Sequence, residues 1–172
     1  PLTQIAQHLH ENELSPEFWE KSLNVHFVTH SMGGLVARTY LEKYHSGNIG
    51  KVVMLGPPNG GSEIADVLSD FAPYNWFYGP AGAELTTEMR QKDKSIPCYD
   101  VGIIAGTYGW PYFVASNIIP GGDDGRVSTS KTKWEGMKDF IELPVTHTFM
   151  MDNTTVQKQV LYFLERGYFD KD

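Results

Sequence analysis

Cysteine is nearly absent from this chain. Cys98 is the one example in 172 residues, so an internal disulfide is excluded. It follows Pro97 ahead of a strand-like run, and its expected role is that of a buried small hydrophobe. Long hydrophobic runs are also missing. Nothing approaches the roughly 20 consecutive apolar residues of a membrane helix, and the N-terminus lacks a basic-then-apolar signal pattern. The first residue is Pro1 and not a methionine, which leaves room for a segment upstream. Positive charge is in short supply: 14 Lys and Arg against 21 Asp and Glu give a formal charge of -7 with both signs interleaved. A nucleic-acid partner calls for a basic stripe, which this chain does not have. Internal repeats, heptads and low-complexity segments are absent as well. What remains is a chain with 41% hydrophobic residues, enough to build a real core in a single domain spanning 1–172.

The apolar pattern alternates between two periods. Leu2, Ile5 and Leu9 recur at helical spacing, and Ser15-Pro16-Glu17 reads as a cap followed by proline in a first turn. NVHFVTH (24–30) is β-prone, and the stretch carrying Leu35, Val36 and Tyr40 reads as a helix ending near Gly47. KVVMLG (51–56) is nearly continuous in apolar residues, as in a strand covered on both faces. Ser62 is placed to cap a helix through Ile64, Val67 and Leu68. YDVGIIAGT (99–107) and DFIELPV (139–145) supply two more strands. A last helix carries Val156, Val160, Phe163 and Leu164 on one stripe and stops at Gly167. Asn153-Thr154-Thr155 matches a glycosylation acceptor pattern, but its position points to a helix cap. Apolar strands alternating with amphipathic helices predict an α/β fold, a mostly parallel sheet flanked by helices. Residues 71–98 and 107–138 read as irregular loop or lid regions, where function often resides.

Ser31 stands at the junction of the first strand and its helix, in T-H-S-M-G where G-x-S-x-G is the usual elbow. Thr29 and Gly33 flank it at two residues on either side, and Gly34 follows. A serine that only caps a helix needs neither glycine; one pinched clear of the backbone needs small neighbours. Hydrolases of this shape carry their residues in the order serine, acid, histidine. His8, His10 and His26 precede the serine, His30 adjoins it and as a base points the other way, and His45 ends the following helix. His147, in LPVTHTFMM beyond the fourth strand, is left as the base. For the acid, Asp123 and Asp124 lie on a glycine-rich turn in PGGDDGRVS, with Asp124 favoured and Asp139 and Asp152 in competition. The paired aspartates fall short of the six to eight oxygens that calcium takes, so no metal is assigned. The backbone N–H of Met32 is the expected oxyanion donor. His30, Asn59, Trp110, Phe149 and Met150 are candidates for lining a substrate pocket.

Taken in order, FVTHSMGGLVAR, VVMLGPPNGGSEIAD, GPAG, GIIAG, DDGRVS and LPVTHTFMM give the chain the look of a bacterial α/β-hydrolase of the lipase/esterase type. The resemblance runs through nearly the whole chain. It implies Ser31, Asp124 and His147 as the catalytic residues, carboxylic or lipid-like esters as substrates, and no cofactor. It also implies a truncation, because family members begin with a strand ending in a His-Gly loop that supplies a second oxyanion N–H. By that analogy roughly 60 to 80 residues are missing on the N-terminal side. NVHFVTH would then be an edge strand with an exposed apolar face, open to self-association. Two other readings stand beside ester hydrolysis: a non-catalytic fragment or interaction module retaining an inherited triad, and acyl transfer or amide hydrolysis on the same residues.

Overall fold

The four apolar runs form one parallel sheet: β1 (Val25–His30), β2 (Ile49–Leu55), β3 (Asp100–Gly106) and β4 (Asp139–Leu143), in the spatial order β1-β2-β3-β4. The structure is a computed structural model and describes residues 1–44, 48–61, 95–109, 124 and 127–172. Val28 lies opposite Val53, Val53 opposite Gly102 and Gly102 opposite Asp139, and the one shift of register falls between Val25 and Phe27 at the start of β1. The helices are α1 (Leu2–Asn12), α2 (Pro16–Lys21), α3 (Met32–Tyr44), the single turn α4 (Thr129–Thr132) and α5 (Thr154–Arg166). The expected strands are all present, with ends shifted by one or two residues. The helix anticipated after Ser62, and residues 71–94, lie outside the described residues.

Strand alternation divides the core in two. Val52, Met54, Val101 and Ile103 face one side and pack with Tyr40 and Leu41 of α3, Ala6 of α1 and Trp19 of α2. Val53, Leu55 and Ile104 face the other side and pack with Val156, Val160 and Phe163 of α5. Helices on both faces of a parallel sheet explain why β2 and β3 read as continuous apolar runs. On the first face the Trp19 indole donates to the Tyr40 hydroxyl at 2.7 Å, and that hydroxyl donates to the Leu14 carbonyl at 2.8 Å. These bonds pin the opening helices to α3 with their polar atoms satisfied.

The helix ends follow their sequence signals. The Ser15 side chain accepts from the Phe18 amide. That of Asn153 accepts from the Thr155 and Val156 amides at 2.9 and 3.1 Å, so this asparagine does cap α5. Gly167 closes the helix with φ +81. Two expectations change. Cys98 is exposed, not buried, because its strand begins two residues later and its side chain falls on the flank outside the sheet. The 107–138 stretch is not wholly irregular, since it contains α4.

The C-terminal tail is held by Asp139 at the start of β4. Its carboxylate accepts from the Phe169 amide at 2.8 Å and pairs with Lys171, while Gln159 exchanges two hydrogen bonds with the backbone of Asp170. This seats Phe169 against Phe163, with ring centroids 4.9 Å apart, over Gly102. A β-carbon on Gly102 would fall 2.6 Å from the Phe163 ring, so the glycine makes room for the aromatic pair. Burial opposes ionisation of Asp139, but hydrogen bonds from Lys171, Phe169 and Phe140 outweigh it and hold the carboxyl below the usual carboxylate range. A depressed carboxyl adds stability that is complete above its unfolded pKa and lost as pH falls through the folded one. Asp139→Asn is therefore expected to lower the urea midpoint at neutral pH, with the gap to wild type closing below about pH 4; a pH-independent gap would contradict this. Phe169→Ala should cost about 3 to 5 kcal/mol by the same measurement.

Candidate active site

Parallel strands end together, so the segments leaving β1, β2, β3 and β4 converge at one edge of the sheet. The segment after β1 is the sharpest. Ser31 has φ +55 and is the one described residue other than glycine with positive φ. For a side chain with a β-carbon that backbone costs on the order of 1 to 3 kcal/mol and persists only where surroundings impose it. Here the Ser31 amide donates to the Leu55 carbonyl at 2.8 Å, and the Gly34 amide donates to the Ser31 carbonyl at 3.0 Å. Gly34 is the glycine under pressure. A β-carbon there would lie 3.0 Å from Pro57 Cβ and 3.5 Å from Thr29 Oγ1, whereas one on Gly33 would make only an ordinary 3.8 Å contact. Thr29 thus fits where glycine is usual because α3 presents no side chain to it at 33 or 34.

Ser31 meets its partners across the sheet edge. Its Oγ lies 2.9 Å from His147 Nε2, and His147 Nδ1 lies 2.7 Å from Asp124 Oδ2. Asp124 is fully buried and His147 nearly so. The second carboxylate oxygen of Asp124 accepts from the Val127 amide at 2.9 Å, and the Asp124 carbonyl accepts from the His147 amide at 2.8 Å. A buried carboxylate bonded to Nδ1–H leaves Nε2 as an acceptor facing the serine hydroxyl, which is the tautomer that can take its proton. Of the competing acids, Asp139 is committed to the C-terminal tail and Asp152 is exposed. Asp123 lies outside the described residues.

Two glycines wall Asp124 and His147. Gly56, directly after β2, has φ +53, and a β-carbon there would lie 3.0 Å from Asp124 Oδ2 and 3.1 Å from His147 Nδ1. Gly106, the last residue of β3, would place one 2.6 Å from Asp124 Cβ and 2.5 Å from the Val145 carbonyl. Composition gives no hint of either role. A glycine closing a buried strand, as in VVMLG and GIIAG, is the signal available.

The other candidates separate. Met32 opens α3, where a helix leaves its first amides without intrahelical acceptors. His30 lines a groove of about 480 Å³ with Val28, Leu55, Met151, Val160 and Leu161, beside β1, the outermost of the described strands. Val28 is 50% exposed there. Phe149 is exposed. Met150 is buried in the core beside α5, and Met151 takes the place in the groove. Asn59 is turned inward, accepting from Arg38 and donating to the Thr132 carbonyl, both at 2.8 Å. Arg38 itself is buried over the Trp134 ring. Asn59 is therefore a clasp between α3 and α4. Trp110 lies outside the described residues. Among the described residues no three His, Cys, Asp or Glu side chains gather as metal ligands, and no helix is long and apolar enough to cross a membrane.

No protein-family model matches the sequence, and no curated protein is similar to it. Solved structures are. The mature form of the Bacillus licheniformis lipase BlEst2 superposes with a TM-score of 0.71 at 17% identity, over 95% of this chain and 71% of that one. The metagenomic carboxyl esterase MGS0156 gives 0.67 at 18% identity, over 84% of this chain and 50% of that one. Phospholipase PlaB from Legionella pneumophila gives 0.56 at 18%, over 77% and 33%. The chain thus has the α/β-hydrolase-like fold of bacterial lipases and esterases, and spans from one third to under three quarters of these neighbours' lengths.

Gly56→Ala is expected to strain the backbone and press on the Asp124–His147 pair. The urea midpoint should fall by the equivalent of about 1 kcal/mol or more, and the low-field Nδ1 proton of His147 in the NMR spectrum should shift or broaden. A variant unchanged in both would show that the pair has room to spare.

Proposed function

We propose that this chain is a serine hydrolase acting on carboxylic esters. The observation that carries the reading is the hydrogen-bonded row Ser31–His147–Asp124, with the serine held in a left-handed turn between β1 and α3. Ser31 Oγ attacks the acyl carbon as His147 Nε2 takes its proton; the alkoxide leaves with that proton, and water then releases the acyl group from Ser31 by the same route. Asp124 holds the imidazole and stabilises its charged form. The Met32 amide donates to the oxyanion. A full-rate site needs a second donor, whose loss typically costs on the order of 10² to 10³ in rate. That the structural neighbours are a lipase, a carboxyl esterase and a phospholipase supports esters over amides, while acyl transfer uses the same residues.

The open edge of β1 favours a second reading, an interaction module. Val28 is half exposed over an apolar groove, and β1 pairs with β2 alone among the described strands. An unprotected edge of this kind recruits another strand, from a second copy or a partner.

Labelling by a fluorescent fluorophosphonate, followed beside hydrolysis of a short-chain p-nitrophenyl ester, separates the readings. The hydrolase reading expects labelling of wild type and none of Ser31→Ala. It also expects Asp124→Asn to lower the rate by about 10⁴ while the chain stays folded. A folded wild type that takes no label would leave the interaction module in its place.

A further inference from the structure

His147 is held at both ends of its own residue. Its amide donates to the Asp124 carbonyl at 2.8 Å, and its carbonyl accepts from His30 Nε2 at 2.9 Å. A carbonyl only accepts, so this bond fixes the His30 proton on Nε2. The two imidazoles sit with centroids 4.8 Å apart, tilted by 46°. His30 is the last residue of β1 and the covalent neighbour of Ser31. The bond therefore ties the main chain of the residue bearing the base to the strand bearing the nucleophile. Between β4 and α5 the segment carrying His147 is itself neither helix nor strand, and burial of Val145 and Met150 in the core beside α5 anchors it on either side of the histidine. Between those anchors the main chain is set by bonds such as this one and Tyr108 N–H to the Val145 carbonyl at 3.2 Å.

We infer that His30 is a positioning residue, which through the His147 carbonyl sets the distance between the His147 imidazole and the Ser31 hydroxyl. The inference rests on the reading of these two as base and nucleophile. Proton transfer needs a heavy-atom separation near 2.6 to 3.2 Å, and a displacement of about 1 Å can cost on the order of 10²-fold in rate. The observed 2.9 Å lies inside that window. A groove-lining role for His30 would act differently, changing substrate affinity and leaving the intrinsic reactivity of Ser31 alone.

Two variants of the full chain separate these roles. His30→Phe keeps a ring and removes the donor; His30→Gln places an amide donor near the position of Nε2. Three quantities are read: the rate of fluorophosphonate labelling, kcat and KM for a p-nitrophenyl ester, and amide hydrogen exchange over residues 145–150. We expect His30→Phe to slow labelling and lower kcat by about tenfold or more at unchanged KM, to speed exchange over 145–150, and to be rescued on each count by His30→Gln. Labelling of His30→Phe at the wild-type rate, or a rise in KM alone, would overturn the inference. If His30→Phe fails to fold, the decision falls to His30→Gln: near wild-type labelling supports the donor role, and a loss equal to that of Ser31→Ala overturns it. A wild type that takes no label sinks the hydrolase reading and leaves, of this inference, the hold of His30 on the His147 carbonyl. In that case exchange decides, with faster exchange in His30→Phe and recovery in His30→Gln supporting the hold, and no change overturning it.

Discussion

Parallel pairing is the constraint from which the site follows. Four strands running the same way must end at one edge, so Ser31 after β1, Gly56 after β2, Gly106 closing β3 and His147 beyond β4 are delivered to the same place by hydrogen bonding alone. The two central strands, β2 and β3, are buried on both faces, so their register has little freedom, and the spacing of the strand ends inherits that rigidity. What the loops add is fine adjustment, from the His147 amide on the Asp124 carbonyl to the His30 imidazole on the His147 carbonyl.

The cost of assembling the site is taken up by glycine. The left-handed turn at Ser31 is strained, and it is held because α3 offers hydrogen atoms, not side chains, where it crosses Thr29 and Pro57. Around the buried Asp124–His147 pair, Gly56 and Gly106 remove the β-carbons that would otherwise fall within about 3 Å of the acid, the base or the supporting backbone. A desolvated carboxylate is tolerable only when its oxygens are bonded, and here the Val127 amide and His147 Nδ1 bond them. The same logic operates far from the site. Buried Arg38 spends its guanidinium on Asn59, Ser95 and the face of Trp134.

The order of elements was legible along the chain because hydrophobic periodicity reports which faces are buried, and burial decides helix or strand. VVML and GIIA could only be covered strands, and the stripe from Val156 to Leu164 could only be one face of a helix. The junction of strand and helix at Ser31 was legible too, from the small residues around it, and so was the pairing of Ser31 with His147. Asn59, Met150 and Cys98 were misplaced for a common reason: a side chain's surroundings depend on residues distant in sequence. Asn59 looks like a turn residue until Arg38 is found beneath it, and Met150 differs from Met151 only in which way the loop rolls.

The sequence by itself determined the succession of strands and helices, the caps at Ser15 and Asn153, the stop at Gly167 and the residue types from which the site is built. Those are local matters of propensity, period and capping. Only the tertiary structure decided that Asp124, and not Asp139 or Asp152, meets His147, that Gly56 and Gly106 wall the pair, and that His30 grips the main chain of His147. These depend on contacts between residues as much as 117 positions apart, set by how four parallel strands stack their ends.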